Sequence, residues 1–104
     1  MSKPLVYVAG PMTGYPLLNY TAFGYASEWV RSQGGTPINP AELNPAKRAW
    51  WLCMVVDLWH LRLADRLLLL PGWQRSRGAR LEVAFAVLLG LPIDLFRGGD
   101  VHAS

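Results

Sequence analysis

The chain has 104 residues, 52% hydrophobic and only 16% charged, with a net charge of +3, five Trp, four Tyr and one Cys. This length suits a single compact domain with a modest core and a shallow cleft, and the lone Cys53 excludes an intrachain disulfide framework or a cysteine zinc site. The basic excess gathers at Arg75, Arg77 and Arg80, too local for a general nucleic-acid face, so a small anionic ligand is expected and no nucleic-acid polymer.

Leu5-Val-Tyr-Val-Ala9 is apolar and β-branched and stops at Gly10-Pro11, which predicts a buried strand. Asn19 to Gln33 carries Phe23, Ala26 and Val30 at helical spacing and ends at Gly34-Gly35. Thr36-Pro-Ile-Asn-Pro40 reads as a short strand at a sheet edge, because proline cannot donate to a ladder. Ala46 to Ala64 predicts a long helix with Trp51, Met54, Val55, Leu58 and Leu61 as its apolar stripe. Arg66 to Leu70 is a central strand, broken at Pro71-Gly72. Ser76 is a plausible N-cap for a helix closed by Gly90, with Leu81, Ala84, Phe85 and Leu88 expected to face inward. Leu91 to Phe96 is a last strand.

The alternation βαβαβαβ predicts an α/β fold: a small flavodoxin-like or Rossmann-like three-layer sandwich with a four- to five-stranded parallel sheet in the order 2-1-3-4. One domain over residues 1–97 and a flexible tail over 98–104 are expected. Ligands of such sheets bind where the strand order reverses, here between the loops Gly10 to Pro16 and Pro71 to Gly78. The start of the chain lacks a signal-peptide pattern and the apolar runs are too short to span a bilayer, so a cytoplasmic setting without a membrane partner is expected. The abundance of Trp and Tyr predicts a homodimer or higher homo-oligomer.

Glu82 is the only charge between Leu81 and Ile93, in a helix that is otherwise almost wholly apolar after it. A surface carboxylate is the ordinary reading, but a buried one is costly unless it has a task. Asp57 likewise interrupts an apolar neighbourhood, while Asp65 stands between helix and strand, where a cap or turn is the simpler role. Ser76-Arg-Gly78 offers a hydroxyl, backbone N–H groups and nearby guanidiniums, the parts of an anion site or of a plain N-cap. Gly10-Pro-Met-Thr-Gly14 matches neither a Walker loop nor a dinucleotide fingerprint. His60 and His102 have no second ligand at metal spacing, so neither metal nor cofactor is expected. Trp50, Trp51 and Trp59 suit core or interface, whereas Trp73, in the candidate ligand loop, could stack on a base or sugar.

In order along the chain, Val6-Tyr7-Val8-Ala9-Gly10-Pro11-Met12, Asn39-Pro40-Ala41-Glu42 and Asp57 through Pro92 resemble the nucleoside 2-deoxyribosyltransferase-like superfamily. That superfamily includes the 2′-deoxynucleoside 5′-monophosphate N-glycosidases, and the nearest likeness is to a small domain family of bacteriophages and bacteria. The resemblance implies Glu82 as the catalytic glutamate, Tyr7 as the residue orienting it and Asp57 as the group that holds the sugar or assists base departure. It implies substrate contacts from Gly10, Asp65, Ser76 and Gly78, and Pro11, Met12, Trp73 and Arg80 are expected beside them. Arg80 replaces a glycine of the phosphate loop, and Pro11 brings no N–H; both depart from the pattern.

The implied reaction is a double displacement at C1′ of a 2′-deoxynucleoside 5′-monophosphate, releasing base and deoxyribose 5-phosphate. It expects Glu82 to be held ionised by its place early in a helix and Asp57 to carry a raised pKa. The small-molecule partner is then a nucleotide or nucleoside, and a neighbouring subunit completes the pocket, with Arg97 a candidate contributor. Alternatives are nucleoside 2-deoxyribosyl transfer, cleavage of an N-glycoside such as NAD, and nucleotide binding without turnover.

Overall fold

The computed structural model describes residues 3–11, 19–43 and 49–97. In chain order it runs β1 (Leu5–Ala9), α1 (Tyr20–Ser32), β2 (Thr36–Ile38), α2 (Pro40–Leu43), α3 (Trp50–Leu61), β3 (Arg66–Leu69), a 3-10 turn (Trp73–Arg75), α4 (Arg77–Leu89) and β4 (Ile93–Leu95). The described strands form one parallel sheet of four in the order β2-β1-β3-β4, the small flavodoxin-like layout that the alternation predicts. Their order reverses between β1 and β3, where Tyr7 pairs with Leu67 and Ala9 with Leu69.

Alternate residues of the strands serve opposite layers, as the pleat requires. Val8, Leu68 and Leu70 join Phe23, Ala26 and Val30 of α1, with Phe96 closing the cluster beside Trp29. Tyr7, Ala9, Leu67 and Leu69 face Leu61 of α3 and Ala86 of α4. At the free edge, Thr36 N donates to Pro4 O at 2.8 Å, so the missing N–H of Pro37 falls on the side without a neighbour.

The long third helix is observed from Trp50 to Leu61, shorter than the Ala46–Ala64 span expected; residues 44–48 lie outside the described ones. The segment expected as a strand to Pro40 ends at Ile38, because Pro40, with its fixed φ, opens α2. Ser76 caps α4, its Oγ accepting from Ala79 N at 3.1 Å, and Gly90 ends that helix at φ 73°.

The inward faces of α3 and α4 differ from expectation. Leu81, Ala84 and Leu88 of α4 are exposed and Phe85 is half-buried; Ala79, Glu82 and Ala86 face the sheet. On α3, Met54, Asp57 and Leu61 are buried, while Trp51 and Val55 are exposed. Both helices carry apolar residues on more than one side, so periodicity alone does not choose the inner stripe. Ala79 and Ala86 let α4 lie close to the sheet, which the bulk of Leu81 and Leu88 would prevent. Of the core-or-interface alternatives for Trp50, Trp51 and Trp59, core does not hold within the chain: all three are exposed.

Candidate functional site

The rotation of α3 and α4 brings two carboxyl groups inside. Tyr7 is wholly buried, Glu82 is 4% exposed and Asp57 is 7% exposed. Tyr7, in the middle of β1, donates its hydroxyl to Glu82 Oε2. Asp57 is near enough for its charge to act on both Tyr7 and Glu82. Three elements therefore converge: β1 supplies the phenol, α4 one carboxyl and α3 the other.

Helical spacing explains the arrangement. Gly78 and Glu82 are four residues apart on α4; Met54 and Asp57 are three apart on α3. A Cβ at Gly78 would lie 3.2 Å from Met54 Sδ and 3.8 Å from Trp50 Nε1. The absence of a side chain there lets the two helices approach, and one turn further along that approach sets Glu82 toward Asp57.

The ionisation of this pair departs from expectation. Burial, and secondarily the charge of Asp57, raises the Glu82 pKa from an ordinary 4.5 to about 8; only the Tyr7 hydrogen bond opposes the rise. Glu82 is the sixth residue of α4, beyond the first turn in which the helix dipole is strong. It is thus the carboxyl that retains its proton near neutral pH, where the sequence reading expected it to be ionised. Burial also raises the Tyr7 pKa, aided by the charges of Glu82 and Asp57, which keeps its hydroxyl a donor.

The other expected residues are spread around this centre. Ser76 and Gly78 are half-buried at the start of α4, and Arg80 is exposed. The Ser76 oxygen accepts the Ala79 N–H, which leaves its own proton available as a donor. Gly10 and Pro11 are buried where β1 ends. A Cβ at Gly10 would come within 2.7 Å of Leu70 Cβ, so this glycine has a packing reason of its own. Pro11 O accepts from Asn19 Nδ2 at 2.9 Å, tying the strand end to the start of α1. Met12 lies outside the described residues.

Asp65 lies apart from this cluster. It sits at the amino end of the sheet, where its Oδ2 accepts from Leu5 N at 2.7 Å and its own N–H donates to Leu5 O at 2.7 Å. The loops after β1 and β3 leave the opposite, carboxyl end, so Asp65 ties strands together away from them. Trp73 is half-buried against the layer that contains Tyr7 and Ala9, which commits part of its ring to packing. Arg97 is exposed, and His60 Nδ1 pairs with Val56 O at 2.8 Å within its own helix. His102 lies outside the described residues, and among those described no cluster of three His, Cys, Asp or Glu is placed to hold a metal.

The sequence placed Arg77 in a basic cluster and Trp50 in core or interface, but did not pair them. The Arg77 guanidinium lies 4.0 Å from the centre of the Trp50 ring, joining the start of α4 to the start of α3. The available signal was spacing: Trp50, Met54 and Asp57 stand at i, i+4 and i+7, one stripe of α3.

The four-stranded parallel sheet and the helices that flank it have the fold of two solved 2-deoxyribosyltransferases. The chain superposes on a 2-deoxyribosyltransferase from the psychrotolerant bacterium Bacillus psychrosaccharolyticus with a TM-score of 0.70 and 21% identity, over 88% of this chain and 71% of that one. A 2-deoxyribosyltransferase from Leishmania mexicana gives a TM-score of 0.71 and 15% identity, over 89% of this chain and 63% of that one. Within this fold, the chain belongs to the family described as "Domain of unknown function (DUF4406)", which matches residues 4–95. No curated protein matches the sequence.

Proposed function

We propose that this protein hydrolyses the N-glycosidic bond of a 2′-deoxynucleoside 5′-monophosphate, with Glu82 as nucleophile. The observation that carries this reading is the buried cluster of Tyr7, Glu82 and Asp57 between the sheet and α3/α4. A buried carboxyl pair is expensive to maintain in a small domain, and a pair of carboxyls is what glycosidic cleavage ordinarily uses.

Near neutral pH the raised Glu82 carboxyl retains a proton beside Asp57. Attack requires that proton to leave Glu82, and the leaving base requires one to depart. Transfer by way of Asp57 meets both needs. Glu82 then forms an ester bond to C1′ as the C1′–N bond breaks, and the base leaves with the bonding pair and the proton. Tyr7 steadies the carboxylate through its hydrogen bond, the one influence that lowers the Glu82 pKa. Water next attacks C1′, gives up a proton to the carboxyl pair and releases deoxyribose 5-phosphate with Glu82 restored. Ser76 and the Arg75, Arg77 and Arg80 side chains near the start of α4 favour a substrate bearing a 5′-phosphate.

The second reading is transfer of the deoxyribosyl group to another base, as the two superposed proteins are named for that reaction. The chain would be incubated with deoxynucleotides, deoxynucleosides and NAD, each with and without a second free base, and the products separated by chromatography. Base release from monophosphates alone supports hydrolysis. A new nucleoside or nucleotide formed with the added base supports transfer, and nicotinamide release supports an NAD-type glycosidase. Ligand-induced thermal stabilisation with no base release from any of them leaves a nucleotide-binding protein without turnover.

A further inference from the structure

The two outer strands of the described sheet, β2 and β4, present unlike edges. On β2 the residue turned outward is Pro37, which has no N–H to give, so that edge cannot run a further ladder. On β4, Pro92 O accepts from Leu67 N at 2.9 Å and Phe96 N donates to Leu69 O at 2.7 Å. Successive residues of a strand turn their backbone groups to opposite sides, so Asp94 also faces β3, while Ile93 and Leu95 face away. The N–H and carbonyl groups of these two residues meet no strand among the described residues. Their side chains are exposed as well, Ile93 at 37% and Leu95 at 58%, on the face they share with Leu67 and Leu69. An open apolar edge is a template for another strand.

The pattern on β4 complements itself. Asp94 lies on the other face, where its Oδ2 accepts from Arg66 Nε at 2.9 Å and is also 2.9 Å from Arg66 Nη2. Antiparallel pairing of β4 with the same strand of a second copy, centred on Asp94, sets Ile93 against Leu95 twice. Each of those two pairs exchanges both backbone hydrogen bonds, and the four apolar side chains lie together on one face. The two Asp94 side chains meet on the other face, where like charges alone would repel. An Arg66 on each outer side balances them, so the row carries no net charge.

We propose that two copies of this chain pair antiparallel through β4 and join their four-stranded sheets into one. The pairing closes on itself: Pro37 blocks the β2 edges at the two ends of the joined sheet, so a dimer forms and not a fibre. A three-residue strand is a small contact, so an affinity of about micromolar is expected. This edge is separate from the Glu82 cluster and does not depend on the reaction proposed there.

Sedimentation of the full chain over a concentration series should show a reversible monomer–dimer equilibrium. Leu95→Pro removes one outward N–H and leaves the bonds to β3, so it should fold and stay monomeric. Arg66→Ala should weaken the dimer about threefold or more by leaving the two Asp94 charges unbalanced, and Asp94→Asn in the same chain should restore it. Hydrogen exchange of the wild type makes the test independent of how the variants fold. The Ile93 and Leu95 amides should slow as concentration rises, by more than the Asp94 amide that already faces β3. A chain that stays monomeric up to about 1 mM overturns the proposal. So does a dimer in which the Ile93 and Leu95 amides exchange as they do in the monomer, or one that folded Leu95→Pro forms as readily as the wild type.

Discussion

Under α1, the sheet is sealed by Val8, Leu68 and Leu70 against Phe23, Ala26 and Val30, while the opposite layer sets Tyr7, Asp57 and Glu82 among Leu67, Leu69 and Leu61. The first layer has one apolar helix stripe and spends it all on packing. The second has apolar residues to spare on both helices, and these lie outside: Trp51, Val55 and Trp59 on α3, Leu81 and Leu88 on α4. Apolar composition alone therefore does not mark the buried side of a helix. The layer that conceals carboxyl groups also leaves its largest apolar side chains in solvent, and the two faces should respond to substitution in opposite ways.

The sharpest break concerns activity. Glu82→Gln keeps the shape of the side chain and removes the nucleophile, so base release should fall by about a thousandfold or more, read by chromatography. Circular dichroism should be unchanged, since an amide avoids the cost of a buried charge. Base release at the wild-type rate would remove Glu82 from the chemistry. On the other face, Phe23→Ala should do the reverse, leaving the carboxyl cluster intact but costing about 3–5 kcal/mol in urea unfolding through lost burial and a residual cavity. A loss below about 1 kcal/mol would mean that α1 does not seal its layer as described.

A pH dependence follows from Glu82. Its pKa rises on folding from 4.5 to about 8, so the folded chain binds the proton more tightly than the unfolded chain does. The stability this contributes is fully present below 4.5 and is lost as the pH rises toward about 8. Each pH unit inside that window removes up to about 1.4 kcal/mol. Urea unfolding at pH 5.5 and pH 8 should show the wild type losing stability as pH rises, with a flatter profile in Glu82→Gln. Equal slopes in the two proteins would show that Glu82 is not the group that titrates.

Much of the α1 layer was legible in the sequence. Phe23, Ala26 and Val30 form a single stripe with polar residues around it, so spacing named the buried side correctly. Strand order was legible too, because the short connections and the central run Leu67–Leu70 leave few alternatives. The inner stripes of α3 and α4 were not, since several faces of each helix are apolar and the choice rests on how closely Ala79, Ala86 and Gly78 let the helices approach. Glu82 and Asp57 stood out as charges within apolar runs, but the raised pKa of Glu82 depends on burial depth, which spacing does not encode. Asp65 shows the same limit: a backbone tie to Leu5 sixty residues earlier has no local signature.

The smallest expected effect tests which way α4 is turned. Leu88 is 83% exposed, so Leu88→Ser removes little buried surface and should change the unfolding free energy by less than about 0.5 kcal/mol in dilute solution. Were α4 rotated to place Leu81 and Leu88 against the sheet, the same substitution would open a cavity and introduce a hydroxyl, costing about 2 kcal/mol or more. That rotation would also carry Glu82 away from Tyr7, because the two leucines and the glutamate occupy different sides of one helix. A large loss at Leu88 would therefore argue against the buried carboxyl pair, while a negligible one is what its burial requires.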